Sequence, residues 1–205
     1  MLDFKLYAIA ERALLSDIGT FAEQATRHGL RALRLRDIEP LHSEDEMASV
    51  PTPNVRNLFV TWQKEGDGMK MVPSRVRGVH LPERMIEKAQ TIKSSFPNML
   101  VGASVHSVDR AERAAEHGAD FLTFGPVFET PSKRALGFGP QGLDMLKAVV
   151  NAVNVPVLAI GGITPAGARA CLEHGAWGVA VVRDLVLAPD LAERLAEYKA
   201  ILGTL

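Results

Sequence analysis

Phe124-Gly125-Pro126-Val127-Phe128-Glu129-Thr130-Pro131-Ser132-Lys133 leaves an apolar run and turns at once into a carboxylate, two hydroxyls and an ammonium group. Hydroxyl and ammonium donors gathered just past a strand end suit the oxygens of a phosphate. The same order returns over residues 156–164, where Gly161 and Gly162 end an apolar run ahead of Ile163, Thr164 and Pro165. A capping threonine and a first-turn proline mark the start of a helix, whose open amides and dipole favour an anion. Val182 and Arg183 close a further run and add a guanidinium. The plainer reading of Gly161-Gly162 is a tight turn and nothing more.

The ends of the other apolar runs carry Arg34 and Arg36 with Asp37, Thr61 with Trp62, His80 with Glu83, and Ser104 with His106. A guanidinium at the rim of a core needs a counter-charge. For Arg36 a bound anion is the favoured partner; for Arg34, pairing with Asp37, Glu39 or Asp184 competes on equal terms. A neutral imidazole can relay protons near pH 7, so His80 and His106 are ligand-facing candidates, although each also suits a satisfied core histidine. Arg36, Ser104, His106, Thr130, Ser132, Lys133, Gly161, Gly162, Val182 and Arg183 are the expected ligand-binding set. His28, His117 and His174 fit helix C-termini, where the dipole favours them, and His42 fits a surface loop. No metal-ligand spacing and no serine triad stand out.

The remaining composition narrows the class. A chain of 205 residues with 47% hydrophobic content fits one domain, residues 1–205, with a substantial core. A net charge of -1 supplies no basic field for nucleic acid. No apolar run approaches the roughly 20 residues of a membrane helix, and the N-terminus lacks a signal pattern, so a cytoplasmic protein is expected. The single cysteine, Cys171, sits in a helical pattern and reads as a buried structural thiol.

The elements that must position these groups come as eight short apolar runs: 5–9, 32–36, 58–61, 78–81, 100–105, 121–124, 155–160 and 179–182. Stretches with helical spacing, such as 108–117 and 165–174, separate most of them and close on Gly118 and Gly175. The phrase Glu-His-Gly-Ala occurs at 116–119 and again at 173–176, with Arg27-His28-Gly29-Leu30 as a third version, as stacked βα units would produce. This order predicts an α/β protein, a single (β/α)8 TIM barrel whose site lies at the C-terminal ends of its strands. The usual length is about 250 residues, so helices between strands 2 and 4 must be reduced. Only 43–50 offers a helix there, and 63–75 reads as a turn or loop. An open doubly wound sheet is the alternative.

With these residues in place, the chain resembles the superfamily of thiamine-phosphate synthase and its paralogue thiazole tautomerase (TenI-like), over essentially its whole length. The likeness rests on Leu6-Tyr7-Ala8-Ile9, Leu35-Arg36-Asp37, Gly78-Val79-His80-Leu81, Gly102-Ala103-Ser104-Val105-His106, Gly118-Ala119-Asp120, and residues 124–133, 159–164 and 175–182. The synthase pattern Gln-x-Arg-x-Lys survives only as Arg36, because Arg34 and Ile38 stand at its ends. Thr61-Trp62 and Pro82-Glu83 occupy stretches where synthases carry magnesium-holding aspartates. His80-Leu81-Pro82-Glu83 and Val127-Phe128-Glu129-Thr130 are closer to the tautomerase branch, although Pro126 stands where that branch has its proposed histidine base.

The resemblance therefore implies, first, a thiazole tautomerase-like isomerase moving a proton on a thiazole phosphate carboxylate without cofactor, with His80, Glu83 or Glu129 as the candidates to carry that proton in place of Pro126. The alternatives are a divergent thiamine-phosphate synthase, a transferase coupling a pyrimidine diphosphate with a thiazole phosphate and using Mg²⁺, and a non-catalytic thiazole-phosphate binding protein. The expected partner is a small phosphorylated thiazole, with no nucleic acid and no membrane. A homodimer through outer helices is compatible with the fold.

Overall fold

The computed structural model describes residues 2–36, 55–62, 74–134, 137 and 139–205. Eight strands form a closed barrel: β1 (Leu6–Glu11), β2 (Ala32–Arg36), β3 (Asn57–Thr61), β4 (Gly78–Leu81), β5 (Leu100–Val105), β6 (Phe121–Phe124), β7 (Val157–Ile160) and β8 (Gly178–Val181). Each pairs in parallel with the next, and β8 returns to β1 through Leu6↔Val179 and Ala8↔Val181. That last ladder excludes the open doubly wound sheet. β1 runs to Glu11, past the end of its apolar run, because Glu11 still pairs with Arg36.

Alternation along the strands divides the core in two, as the period of 2 in a strand requires. Leu33, Leu35, Val79, Val101, Ala103, Leu122 and Val181 face outward and pack under the helices. Tyr7, Ile9, Ala32, Phe59, Phe121, Leu158 and Ala180 face inward and fill the barrel with Phe4. Tyr7 meets Phe59 and Phe121 edge-on, with ring centroids 5.1 and 5.4 Å apart. This arrangement sets the electropositive edge of one ring against the face of another. The inner aromatic plug closes the barrel below the level at which ligands could enter.

The helical layer contains α1 (Ile18–Arg27), α2 (Lys88–Ser95), α3 (Val108–Glu116), α4 (Pro131–Arg134), α5 (Gly142–Ala152), α6 (Pro165–Glu173), α7 (Arg183–Val186) and α8 (Leu191–Leu202). Asp17, Ser107, Thr164 and Asp190 cap α1, α3, α6 and α8 by accepting an amide proton of the first turn. The Glu-His-Gly-Ala phrase is one repeated helix exit. His117 and His174 are C-caps, followed by Gly118 at φ 92° and Gly175 at φ 89°, a left-handed conformation that glycine adopts without strain. The helix expected at 43–50 and the loop at 63–73 lie outside the described residues. No helix among the described residues is long and apolar enough to cross a membrane.

Candidate active site at the C-terminal rim of the barrel

Because all eight strands run the same way, their C-terminal ends form one rim. On β2 the inward positions are Arg34 and Arg36. Arg34 is 7% exposed and its Nε donates to Thr61 Oγ1 at 3.0 Å, while Thr61 in turn donates to the Leu35 carbonyl at 3.1 Å. Arg36, two residues further along, is exposed at the mouth. Asp37 and Glu39 lie outside the described residues. Asp184, the other carboxylate expected beside the arginines, is engaged elsewhere: it accepts from Arg194 at 3.3 Å and from the Tyr198 hydroxyl at 2.8 Å.

His80 lies within β4 rather than after it, and it is fully buried. Its Nδ1 is 3.4 Å from Tyr7 Oη, and its Nε2 is 3.0 Å from Ser104 Oγ and 3.3 Å from Thr123 Oγ1. Burial, and then the charges of Arg34 and Arg36, hold its pKa well below the usual 6.5, so the ring is neutral. Gly102 makes this packing possible. It pairs with His80 across β4 and β5, and a Cβ there would lie 2.7 Å from His80 Nδ1 and against the Phe121 ring. Ser104, the next inward residue of β5, is half-buried and stands between His80 and the mouth.

Glu83 opens the short 3-10 turn Glu83–Met85 and uses its carboxylate structurally. Oε2 accepts from the His106 amide at 2.6 Å, and the Glu83 carbonyl accepts from Arg110 at 2.7 Å. His106 is exposed, and its Nδ1 donates to the Gly125 carbonyl, which also accepts from Gln141 Nε2 at 3.1 Å. Glu83, His106 and Gln141 thus brace the loops after β4, β5 and β6 against one another.

Beyond β6 the chain stays against β7. The Val127 amide donates to the Ile160 carbonyl at 2.9 Å, and the Phe128 amide to that of Gly161 at 3.0 Å. The Gly125–Pro126 peptide, just ahead of Val127, is cis, and both residues are buried. Glu129 is exposed and pairs with Arg134 at 2.6 Å. Thr130 is half-buried, and Ser132 and Lys133 fall in the single turn of α4. Gly161 and Gly162 do more than turn the chain. With φ of 97° and 66° they sit against the 126–129 segment, where a Cβ on Gly162 would lie 2.6 Å from the Glu129 carbonyl oxygen and one on Gly161 2.6 Å from Pro126 Cβ.

The rim after β7 leads into α6, whose N-terminus is capped by Thr164 accepting from the Gly167 amide at 3.3 Å. The Tyr198 hydroxyl, on α8, reaches the Ile163 carbonyl at 3.3 Å and ties this turn to Asp184. Val182 is half-buried ahead of α7, and Arg183, its first residue, is exposed. Trp62 packs toward the outer core beneath the helices, not into the mouth.

The structure therefore brings Arg36, Ser104, His106, Thr130, Gly161, Gly162, Val182 and Arg183 to one rim, with the backbone of Ser132 and Lys133 beside them. It sets His80 below that rim, Glu83 in a brace and Glu129 on the surface. Tyr7, Thr123, Gln141 and Tyr198 are participants that strand-end reading passed over. For Tyr7 and Thr123 a signal existed, since each is a hydroxyl at an inward position of an otherwise apolar strand. Among the described residues no three His, Cys, Asp or Glu side chains converge as a metal site. The carboxylates of Glu83 and Glu129 already have partners, so the described donor set does not fit a bound Mg²⁺.

A closed parallel barrel with its polar side chains and an open glycine turn at the C-terminal rim has the architecture of a small (β/α)8 enzyme. The chain belongs to the thiamine monophosphate synthase (TMP-TENI) family, whose model matches residues 67–185. A thiamine-phosphate synthase of Pyrococcus furiosus is 33% identical over 210 residues, covering 96% of this chain and 94% of the relative. A relative in Aquifex aeolicus, provisionally named thiamine-phosphate synthase 2, is 44% identical over 182 residues, covering 86% of this chain and 94% of its own. The solved thiamine phosphate pyrophosphorylase of Pyrococcus furiosus superposes with a TM-score of 0.79 at 29% identity, covering 98% of this chain and 96% of the other. The two sequence relatives carry synthase names and the solved one a pyrophosphorylase name, whereas the motifs at residues 80–83 and 127–130 are closer to the tautomerase branch.

Proposed function

We propose that this protein is a thiamine-phosphate synthase-type transferase, joining a pyrimidine carried as its methylene diphosphate to the ring nitrogen of a thiazole phosphate. The observation that carries this reading is the end-to-end likeness to synthases in both sequence and structure. The rim supports it independently. Among the described residues, each side chain read as a candidate base is otherwise committed: His80 is buried below the rim with both ring nitrogens in hydrogen bonds, Glu83 braces His106, and Glu129 pairs with Arg134 on the surface. Pro126 offers no proton-transferring side chain.

The reaction breaks the bond between the pyrimidine methylene carbon and the diphosphate oxygen, whose electron pair leaves with pyrophosphate. The thiazole nitrogen lone pair forms the new carbon–nitrogen bond. No side chain need act as nucleophile, so catalysis rests on positioning and on stabilising charge as it develops on the leaving group. Arg36 at the mouth, with Arg34 beneath it, supplies positive charge for that purpose. The Gly161-Gly162 turn and the capped start of α6 offer amides to the phosphate of the thiazole. Incubation of the purified protein with both substrates, with and without Mg²⁺, should release pyrophosphate and form the coupled phosphate ester. Aromatisation of the carboxylated thiazole phosphate without pyrophosphate release from the pair would sink the synthase reading.

A further inference from the structure

We propose that Tyr7 is a positioning residue: by donating to His80 Nδ1 it fixes the imidazole as its Nε2–H tautomer, which leaves Ser104 only its own proton to offer toward the barrel mouth. The group seated above Ser104 must then be a hydrogen-bond acceptor. This assignment of protons stands on the geometry of the folded chain and does not depend on the proposed reaction.

The chain of donors follows from who lies next to whom. Tyr7 is fully buried among the rings of Phe4, Phe59 and Phe121, and His80 Nδ1, at 3.4 Å, is its hydrogen-bond partner among the described residues. A phenol can donate or accept. Were Nδ1 the donor, the Tyr7 proton would be left facing aromatic rings, a buried donor without an acceptor, which structures avoid. Tyr7 therefore donates, and Nδ1 accepts. Because the ring is neutral, its single proton sits on Nε2.

From Nε2 the nearer oxygen is Ser104 Oγ at 3.0 Å, against 3.3 Å for Thr123 Oγ1. Thr123 is itself 1% exposed and must place its own hydroxyl proton. Protonated Nε2 cannot receive it, and Ser104 Oγ, 3.3 Å away, can. Ser104 Oγ thus accepts twice, which fills both lone pairs of a hydroxyl. Its proton has one direction left, away from His80 and Thr123 and toward the half-buried side that opens on the mouth. A ring nitrogen, a carbonyl or hydroxyl oxygen, or an oxyanion satisfies that proton; a group that offers only N–H donors does not.

The test begins with the unaltered, ligand-free protein. With ¹⁵N-labelled histidine at neutral pH, and the His80 signals assigned by their loss in His80→Gln, the ring should show protonated Nε2 and unprotonated Nδ1. A protonated Nδ1 overturns the proposal, even if no Tyr7 variant folds. In Tyr7→Phe both neutral tautomers should be populated, since Nδ1 then has no partner to fix it as the acceptor, while Nε2 can either donate to or accept from the Ser104 hydroxyl. An unchanged tautomer would remove Tyr7 from the chain. Binding of the pyrimidine diphosphate supplies a third readout. Tyr7→Phe should weaken it about 3- to 10-fold and Ser104→Ala by about 10-fold, and the double variant should match Ser104→Ala alone. Additive losses would mean that Tyr7 does not act through Ser104. Absence of binding by the unaltered protein would count against the synthase reading, while the tautomer measurement would still decide this one.

Discussion

His80 and Gly102 stand opposite each other across the β4–β5 ladder, and the imidazole occupies the space that a Cβ on Gly102 would take. A methyl group at this position would come 2.7 Å from His80 Nδ1 and would also strike the Phe121 ring, with the aromatic plug behind both. Close-packed interiors do not absorb such additions. Gly102→Ala should therefore lower stability by about 2–3 kcal/mol, read from the urea midpoint at unchanged m-value.

The same histidine makes stability depend on pH. Its folded pKa lies well below the ordinary 6.5 because of burial and then the charges of Arg34 and Arg36. As pH falls below 6.5 the unfolded chain gains a proton at this site that the folded chain refuses, so stability falls with falling pH. The contribution is at most about 1.4 kcal/mol per pH unit from this one group. Equilibrium unfolding between pH 7.5 and about 5 should show the slope, and His80→Gln should flatten it by up to that amount.

Tyr198 joins Asp184 to the turn that opens α6. Its hydroxyl lies 2.8 Å from Asp184 Oδ2 and 3.3 Å from the Ile163 carbonyl, one residue past Gly162. Tyr198→Phe removes both contacts and should cost about 1–2 kcal/mol. In the coupling assay it should raise KM for the thiazole phosphate several-fold with a smaller effect on kcat. Equal loss in both parameters for both substrates would deny the turn a role in phosphate binding.

Gly162 tests the same turn from the other side. At φ 66° any side chain is strained, and its Cβ would lie 2.6 Å from the Glu129 carbonyl oxygen. Gly203 also has a positive φ, 76°, but open space around it. Gly162→Ala should displace the 126–129 segment and reduce pyrophosphate release more than 10-fold, on the order of 1.4 kcal/mol or more of lost stabilisation. Gly203→Ala, with the backbone strain alone, should leave turnover unchanged.

Cys171 provides a probe of folding without touching the site. Burial pushes its thiol up to about 12, so the thiolate is scarce at neutral pH. Thiol-specific labelling of the native protein should proceed at the rate of opening, and it should become fast in denaturant.

Much of the fold was legible because its signals are local. Strand runs, caps and the repeated Glu-His-Gly-Ala exit need only residues near one another in the chain, and they land where the spacing places them. The expected site reads less evenly. Arg36, Gly161, Gly162 and Arg183 reach the rim because they follow inward-facing strand ends. His80, Glu83 and Glu129 looked equally reactive in one dimension, but their surroundings are not equivalent. His80 is enclosed by Tyr7 from β1, Ser104 from β5 and Thr123 from β6, Glu83 is taken by the His106 amide, and Glu129 by Arg134.

By itself the sequence determined that strands alternate with helices from β4 onward and between β1 and β2, and that small and cationic residues gather at one end of the strands, because both follow from short-range periodicity and capping. Only the tertiary structure decided that β8 closes on β1, and which polar groups the protein keeps for itself. Tyr7 and His80 are 73 residues apart in the chain. Hydrogen-bond partners of that kind are set by barrel register, which no local spacing encodes.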